Sequence, residues 1–313
     1  MTVTSTGSVK VEGSGNVVTA FQYQSLDGSL ANAGTISAIN AGAIAETYSA
    51  FAGAFGVSIS QPDTLAGSLS NSGTISATVA GAQARSVRAA GVYTSGLLSG
   101  SLTNSGTISA AASGGDGMGV AFGVEVGGGI NGSLTNSGAI NATATLTTVD
   151  GGEGYGHAEA IGVRTTELSG SFTNSGTINA TATLATADGG EGFAVGVELL
   201  AGSSYHGMAD TLRNSGTLTN TGTISATANG NGGAAYGVAA PDGFSGTLNN
   251  SGRITASAPS GTAYSLYIGD GGEGATTPTG VINNQAGGFL GGNLVIGSSV
   301  REVTNAGTIF IPS

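Results

Sequence analysis

The chain has 313 residues, 59 of them glycine, with no cysteine or tryptophan and a formal net charge of −11. Only 8% of its residues are charged, against about a quarter in a typical soluble domain. This composition excludes nucleic-acid binding, which needs a basic patch, because Lys10 is the only lysine. It also excludes a membrane-spanning helix, because no apolar run reaches about 18 residues.

The first 27 residues carry valines at alternating positions, separated by glycine and serine. Alternation of this kind predicts two or three short strands that begin the fold. The segment has neither the basic region nor the apolar region of a secretory signal. We therefore expect that a signal was removed or that export follows a route that reads none.

From residue 28 to residue 281 one sequence unit recurs, and its clearest copy is GSLTNSGAINATATL at 132–146. Every second residue of this copy, counted from Leu134, is apolar or small apart from Asn136. The residues between them carry almost entirely hydroxyl or amide side chains. A period of two residues is that of a β-strand with one buried and one wet face. Copies recur every 32–40 residues along most of the chain, which is the signature of a repeat architecture.

A second segment, A-x-G-V, lies between copies of the first, as at 121–124, 160–163 and 194–197. Three strands with their turns would make each repeat one coil of a parallel β-helix, with coils ~4.8 Å apart. The sequence therefore predicts an all-β, single-domain parallel β-helix (β-solenoid) of about eight or nine coils, each of roughly 32–40 residues. Residues 282–313 are expected to form a degenerate last coil and an edge strand.

Stacked coils place equivalent residues on top of one another, so inward leucines and isoleucines form buried columns. Each buried side chain of this size contributes ~1.5–3 kcal/mol. The predicted leucine column contains Leu30, Leu69, Leu102, Leu134, Phe172, Leu212 and Leu248. A lone inward asparagine would be costly, but a column of amides can bond to itself. The predicted ladder contains Asn32, Asn71, Asn104, Asn136, Asn174, Asn214 and Asn250, and more weakly Asn284 and Asn305.

The residue that follows A-x-G-V faces outward and is Glu125, Arg164 and Glu198 in successive repeats. Stacking would align these into a column of alternating charge on one face. Opposite charges on adjacent strands contribute only ~0.2–1 kcal/mol. We interpret this column as setting the register of the coils rather than binding a ligand.

Acidic glycine turns of the form DGGEG suggest weak calcium sites, because carboxylates on flexible loops suit oxygen-ligated cations. The candidate ligands are Asp150, Glu153, Asp188, Glu191, Asp270 and Glu273. The turns do not match the tandem nonapeptide calcium repeat, and solvated surface turns are the alternative interpretation. No other cofactor is expected.

No catalytic residues are predicted. The two histidines, His157 and His206, have no spacing that suggests a metal site or a triad, and the acids are scattered. Threonine pairs such as Thr143 with Thr145 resemble the arrays of ice-binding solenoids. The column is interrupted at Ala111, so ice binding is kept as a minor alternative to an ordinary wet strand face.

The repeated N-S-G-T-I words, the glycine, serine, threonine and asparagine bias, and the solenoid period resemble the passenger regions of bacterial autotransporters and related secreted β-helix surface proteins. The resemblance covers residues 28 to about 310. It implies export to the cell exterior and roles in adhesion, aggregation or surface layers.

The ends of the solenoid are the places where assembly is expected. Open strand edges are templates for pairing, and contact between two different ends generates an open filament. The predicted edge residues are Val3, Ile309 and Ile311. The first hypothesis is therefore an extracellular, non-enzymatic protein that forms a homopolymer through its ends. The alternative is a monomeric adhesin or passenger fragment whose loops bind cell-surface carbohydrate or protein.

Overall fold

The computed structural model confirms an all-β parallel β-helix. It describes residues 2–13, 17–24, 26–41, 51–60, 65–81, 86–114, 117–147, 156–185, 190–200, 214–230, 232–270 and 278–312. Within these ranges no residue is helical, and every pairing between strands is parallel. Successive strands go to three sheets in turn, so three strands make one coil.

The strands are short and follow one another in a constant order. The first three coils contain β1 (Thr2–Ser5), β2 (Ser8–Gly13), β3 (Val17–Tyr23), β4 (Ser29–Asn32), β5 (Thr35–Asn40), β6 (Phe51–Ile59), β7 (Ser68–Asn71), β8 (Thr74–Gly81) and β9 (Ser86–Thr94). The next three contain β10 (Ser101–Asn104), β11 (Thr107–Gly114), β12 (Met118–Val126), β13 (Ser133–Asn136), β14 (Ala139–Leu146), β15 (His157–Thr165), β16 (Ser171–Asn174), β17 (Thr177–Leu184) and β18 (Glu191–Leu199). The remaining strands are β19 (Thr217–Asn220), β20 (Thr223–Asn229), β21 (Ala234–Ala240), β22 (Thr247–Asn250), β23 (Arg253–Ser257), β24 (Thr262–Ile268), β25 (Gly280–Asn284), β26 (Phe289–Gly291), β27 (Asn293–Ile296), β28 (Val300–Asn305) and β29 (Thr308–Phe310).

The first strand of each coil belongs to sheet A, the second to sheet B and the third to sheet C. Sheets A and B have ten strands each and sheet C has nine. The described residues therefore form nine complete coils and two strands of a tenth, slightly more than the eight or nine predicted. The residues before 28 supply the first coil, and those after 282 supply most of the last two.

Alternation along each strand separates a dry interior from a wet exterior, as the sequence predicts. In β14, whose sequence is AINATATL, every second residue from Ile140 onward is buried. The main core cluster contains the leucine and isoleucine columns and runs the length of the solenoid. A second cluster consists mainly of alanines from sheets B and C, where small side chains let the two sheets approach. The interior is therefore filled by the repeat itself.

Two glycines of the repeat are required by close backbone approach. A Cβ atom added to Gly138 would lie 2.0 Å from the carbonyl oxygen of Gly106 in the preceding coil. A Cβ atom added to Gly123, in A-x-G-V, would lie 2.4 Å from Cγ2 of Ile140 on sheet B. Both positions exclude a side chain because neighbouring coils are in contact there.

Candidate functional site

A single file of asparagine side chains runs through the solenoid where sheet A turns into sheet B. In each coil Nδ2 donates to Oδ1 of the equivalent asparagine in the next coil, at 2.8 Å in seven steps and 2.7 Å in the last. The file contains Asn32, Asn71, Asn104, Asn136, Asn174, Asn220, Asn250, Asn284 and Asn305. All hydrogen bonds therefore point in one direction along the solenoid.

Each buried asparagine amide in the middle of the file has hydrogen-bond partners for both its nitrogen and its oxygen. Asn136 has no exposed surface, donates to the carbonyls of Thr177 and Gly138 at 3.1 and 3.3 Å, and accepts from Asn104 at 2.8 Å. A buried amide with these partners avoids the cost of an unsatisfied polar group. The file is therefore a structural element that holds the A–B corner from the second coil to the tenth, whereas the first coil has Ser5 at the equivalent position.

The prediction that Asn214 belongs to the ladder is wrong. Asn174 donates to Asn220, which occupies the sixth position, and Phe172 pairs with Leu218 rather than with Leu212, which lies outside the described residues. Asn214 instead accepts a hydrogen bond at 2.9 Å from the backbone N–H of Leu168, outside sheet A.

The spacing within the repeat could have identified Asn220. Each ladder asparagine from Asn32 to Asn250 precedes an inward isoleucine by four residues, as Asn136 precedes Ile140. Asn220 precedes Ile224 by the same distance, whereas the residue four positions after Asn214 is Leu218. Two similar segments, TLRNSG at 211–216 and TLTNTG at 217–222, lie six residues apart, and the distance to the following isoleucine distinguishes them.

The outer face of sheet C carries ion pairs between neighbouring coils and a cluster of aromatic rings, whereas the outer faces of sheets A and B are mostly rich in hydroxyl groups. Glu125, Arg164 and Glu198 are stacked in register, as predicted. Arg164 Nε lies 3.1 Å from Glu198 Oε2. Glu125, however, pairs with Arg88 from the preceding coil rather than with Arg164.

Arg88 was not singled out by the sequence. Its guanidinium carbon lies 5.1 Å from the Tyr93 ring centre and 5.3 Å from that of Phe122, distances typical of cation–π contacts. These contacts reach diagonally across the face, because Arg88 pairs in register with Val120 while its carboxylate partner lies five residues further on.

Four aromatic rings occupy the C-terminal half of the same face. Phe193, Tyr236, Tyr264 and Tyr267 have neighbouring ring centres 5.4–5.7 Å apart. Their side chains are half-buried, so part of each ring contacts solvent. Aromatic groups with polar tips are common at binding surfaces. The position of Tyr236 within A-x-G-V was the only sequence signal for this cluster.

Burial raises the pKa of Glu198 to about 7. Its residue surface is 8% exposed, and the acidic side chains of Glu159 and Glu125 add to the effect, while Arg164 opposes it. Although Arg164 Nε is close, Oε2 of Glu198 has no hydrogen bond of good geometry to any described residue. Loss of solvation therefore outweighs the ion pair.

The calcium candidates fall mostly outside the described residues. Those outside are Asp150, Glu153, Asp188 and Glu273. Glu191 is exposed at the start of β18. Asp270 Oδ1 accepts a hydrogen bond of 2.7 Å from the backbone N–H of Ser298, which lowers the pKa of Asp270. In the described part of the chain no three potential ligands cluster to hold a metal ion.

The predicted assembly residues lie on terminal strands. Val3 is in β1, the first strand of sheet A, where its backbone pairs with Leu30, and its side chain lies outside what the structure describes. Ile309 is in β29, the last strand of sheet B, and is 38% exposed; Ile311 follows that strand and is 58% exposed.

The sequence predicts no catalytic or metal-binding role for either histidine. His157, on sheet C, has Nε2 3.8 Å from an oxygen of Glu159, and His206 lies outside the described residues. Across the ranges that the structure describes, no helix is long and apolar enough to cross a membrane.

Comparison with known proteins assigns no family to this chain. No family model, no curated protein and no solved structure matches the sequence.

Proposed function

We propose that this protein is a non-enzymatic, extracellular structural protein that assembles head to tail into a β-solenoid filament or surface matrix. The observation that carries the proposal is the concentration of exposed apolar side chains at the two ends of the solenoid. Export to the cell exterior is the expectation that follows from the resemblance of the repeat to those of secreted β-helix surface proteins.

Large hydrophobic side chains are exposed at eight described positions, and six of these are at the ends. The N-terminal pair is Val11 and Val17, on β2 and β3. The C-terminal four are Val303, Ile309, Phe310 and Ile311, on or just after β28 and β29. Exposed apolar side chains gathered in one place mark interaction surfaces, whereas single scattered ones need no explanation.

Among the described residues, no further strand pairs with the outer edges of the first strands β1, β2 and β3 or of the last strands β27, β28 and β29. Edge strands present unpaired N–H and C=O groups, and an inward-pointing charge is one way to block them. The charged residues of the terminal strands β2 and β28 instead form ion pairs within their own strand. Lys10 Nζ lies 2.5 Å from Glu12 Oε1, and Arg301 Nη2 lies 3.7 Å from Glu302 Oε2. The inward-facing Val11 and Val303 of these two strands are apolar and leave the edges unblocked.

The polarity of the solenoid favours a filament over a closed dimer. All strands are parallel and all ladder bonds point one way, so the two ends present different surfaces. Contact between different surfaces is heterologous, and such contacts continue without limit unless they close into a ring. A stack of this kind buries both apolar ends at once.

A double variant with a matched control tests the proposal. We expect Ile309→Lys with Ile311→Lys to abolish filaments, because two buried charges at the contact cost more than the apolar burial contributes. Met118→Lys is the control, since Met118 is 44% exposed but lies in the middle of the solenoid. Negative-stain microscopy and sedimentation at several concentrations measure the outcome.

The original chain should give fibres of uniform width that lengthen with concentration, and the Met118→Lys chain should do the same. Far-UV circular dichroism establishes that each variant remains folded. Persistent monomers of the original chain, or fibres that survive both lysines, contradict the proposal.

A second candidate function is favoured by the aromatic cluster on sheet C. A monomeric surface adhesin would use Tyr236, Tyr264 and Tyr267 to contact a cell-surface carbohydrate or protein, with the paired charges beside them setting orientation. Binding of the purified monomer to a panel of cell-wall polysaccharides tests it. Loss of binding in Tyr236→Ala, with Thr135→Ala on sheet A as control, supports this candidate.

A further inference from the structure

The C-terminal end of the solenoid is stepped. Sheets A and B end in their tenth strands, β28 and β29, whereas sheet C ends in its ninth, β27. Within the described residues no strand lies over the free edge of β27. Its inward residues Leu294 and Ile296 pack against the main core and remain only partly buried. One strand position on sheet C is therefore open at a level that sheets A and B have already filled.

The path of the chain leads directly to this open position. The carbonyl of Phe310, the last residue of β29, accepts a hydrogen bond of 2.9 Å from the backbone N–H of Gly292. Gly292 immediately precedes β27. The end of β29 is thus held at the point where the next strand of the spiral would begin to run along β27.

We propose that a second copy docks here rotated by one sheet position, so that its β1 continues sheet C on β27. Its β2 then lies on β28 and its β3 on β29. This inference rests on the proposed head-to-tail assembly and specifies its geometry. The spiral passes from one copy to the next without a missing strand, and the last residues of one copy lie beside the first strand of the next.

Two of the three strand pairs in this arrangement match in length, and the first pair keeps the inward–outward alternation. β1 and β27 each have four residues, and β2 and β28 each have six, whereas β3 has seven residues and β29 has three. Aligned from their first residues, buried Ser5 falls beside Ile296 on the inward row. Exposed Thr4 falls beside Val295, which pairs with the outward Tyr267.

Docking without rotation fits less well. It would place β1 on β28 and β2 on β29, pairing strands of four and six residues with strands of six and three. It would extend the ladder by bringing Ser5 to Asn305, but it would leave a gap one strand wide over β27. One added hydrogen bond does not offset a row of backbone groups and apolar side chains left without partners.

The two arrangements predict different filament symmetries. With rotation, each copy turns by about a third of a revolution and adds about 46 Å, because 29 strands make nine and two-thirds coils at ~4.8 Å each. Without rotation, each copy adds about 48 Å and keeps the same orientation apart from the twist of the coils. Helical reconstruction from cryo-electron micrographs distinguishes the two.

Cysteine cross-linking gives a direct test, because the chain has no cysteine of its own. One variant carries Thr4→Cys with Val295→Cys, and the matched control carries Thr4→Cys with Thr304→Cys. Neighbouring strands lie ~4.8 Å apart, within the Cα separation that a disulfide spans. All three positions face outward, so both variants should keep the fold, which circular dichroism verifies.

We expect oxidised filaments of the first variant to give a ladder of covalent oligomers on a non-reducing gel, and those of the control to give monomers. The reverse pattern overturns the rotated docking and leaves head-to-tail assembly standing. Filaments in which neither pair cross-links overturn both the rotation and the assignment of these edges. Absence of filaments under every condition overturns the proposed function and this inference with it.

Discussion

Replacing Asn136 by alanine in the middle of the ladder should destabilise the solenoid strongly. The variant removes the contacts that the two Nδ2 hydrogens make with Asn174, Thr177 and Gly138, and the hydrogen bond accepted from Asn104. It also leaves Oδ1 of Asn174 buried without a donor from any described residue. An orphaned buried acceptor costs about 1–3 kcal/mol, and each net bond lost costs about 0.5–1.5 kcal/mol. The orphaned acceptor of Asn174, the second hydrogen shared by two carbonyls and the bond from Asn104 together give an expected loss of about 2–6 kcal/mol.

The matched control is Asn141→Ala, in the same copy of the repeat. Asn141 faces outward on sheet B and accepts one hydrogen bond of 3.0 Å from Asn179. Its removal should cost less than about 1 kcal/mol, because solvent replaces the lost partner. The two substitutions delete the same side chain five residues apart and differ mainly in burial.

Urea unfolding followed by far-UV circular dichroism measures both variants against the original chain. Stability in a solenoid is approximately a sum of coil and interface terms, so a broadened transition centred on the mutated coil is also expected. If Asn136→Ala lowers the free energy of unfolding no more than Asn141→Ala does, the ladder contributes nothing beyond surface hydrogen bonding, and the reasoning fails.

Two further substitutions test close approach and buried charge. Gly138→Ala should cost about 1–3 kcal/mol in urea unfolding, because its Cβ meets the carbonyl of Gly106, whereas Gly7→Ala, with open space around it, should be close to neutral. Glu198 has a pKa raised from 4.5 to about 7, so its stabilising effect is complete below 4.5 and is lost as pH rises to about 7. The free energy of unfolding should fall by up to about 3 kcal/mol over that interval. Glu198→Gln should lack this fall; an unchanged pH profile in the variant would contradict the assignment.

Much of the architecture could be predicted from local pattern. Alternation in segments such as 132–146 identifies strands and their buried face, because side chains of a strand point to opposite sides in turn. The recurrence of the same segment every 32–40 residues indicates stacked coils, and stacking implies that an inward asparagine meets its own copy. The ladder through Asn136 follows from these two facts without any knowledge of the corners.

Contacts set by packing between coils could not be predicted in this way. Arg88 and Glu125 are 37 residues apart and meet diagonally, because the long Arg88 side chain reaches a carboxylate in the next coil that lies five residues beyond its in-register partner Val120. The similarity of the segments around Asn214 and Asn220 led to the prediction that Asn214 belongs to the ladder. Asn220 occupies that position instead, because Ile224, four residues after it, takes its place in the buried isoleucine column.

The sequence by itself determined the fold class and the chemistry of the interior, because those depend on a repeat that is visible in one dimension. Only the tertiary structure decided how the ends are shaped. The free edge of β27 lies one level below those of β28 and β29, since the described strands do not divide evenly among three sheets. That step is a property of how the coils wind, and no single segment of sequence encodes it.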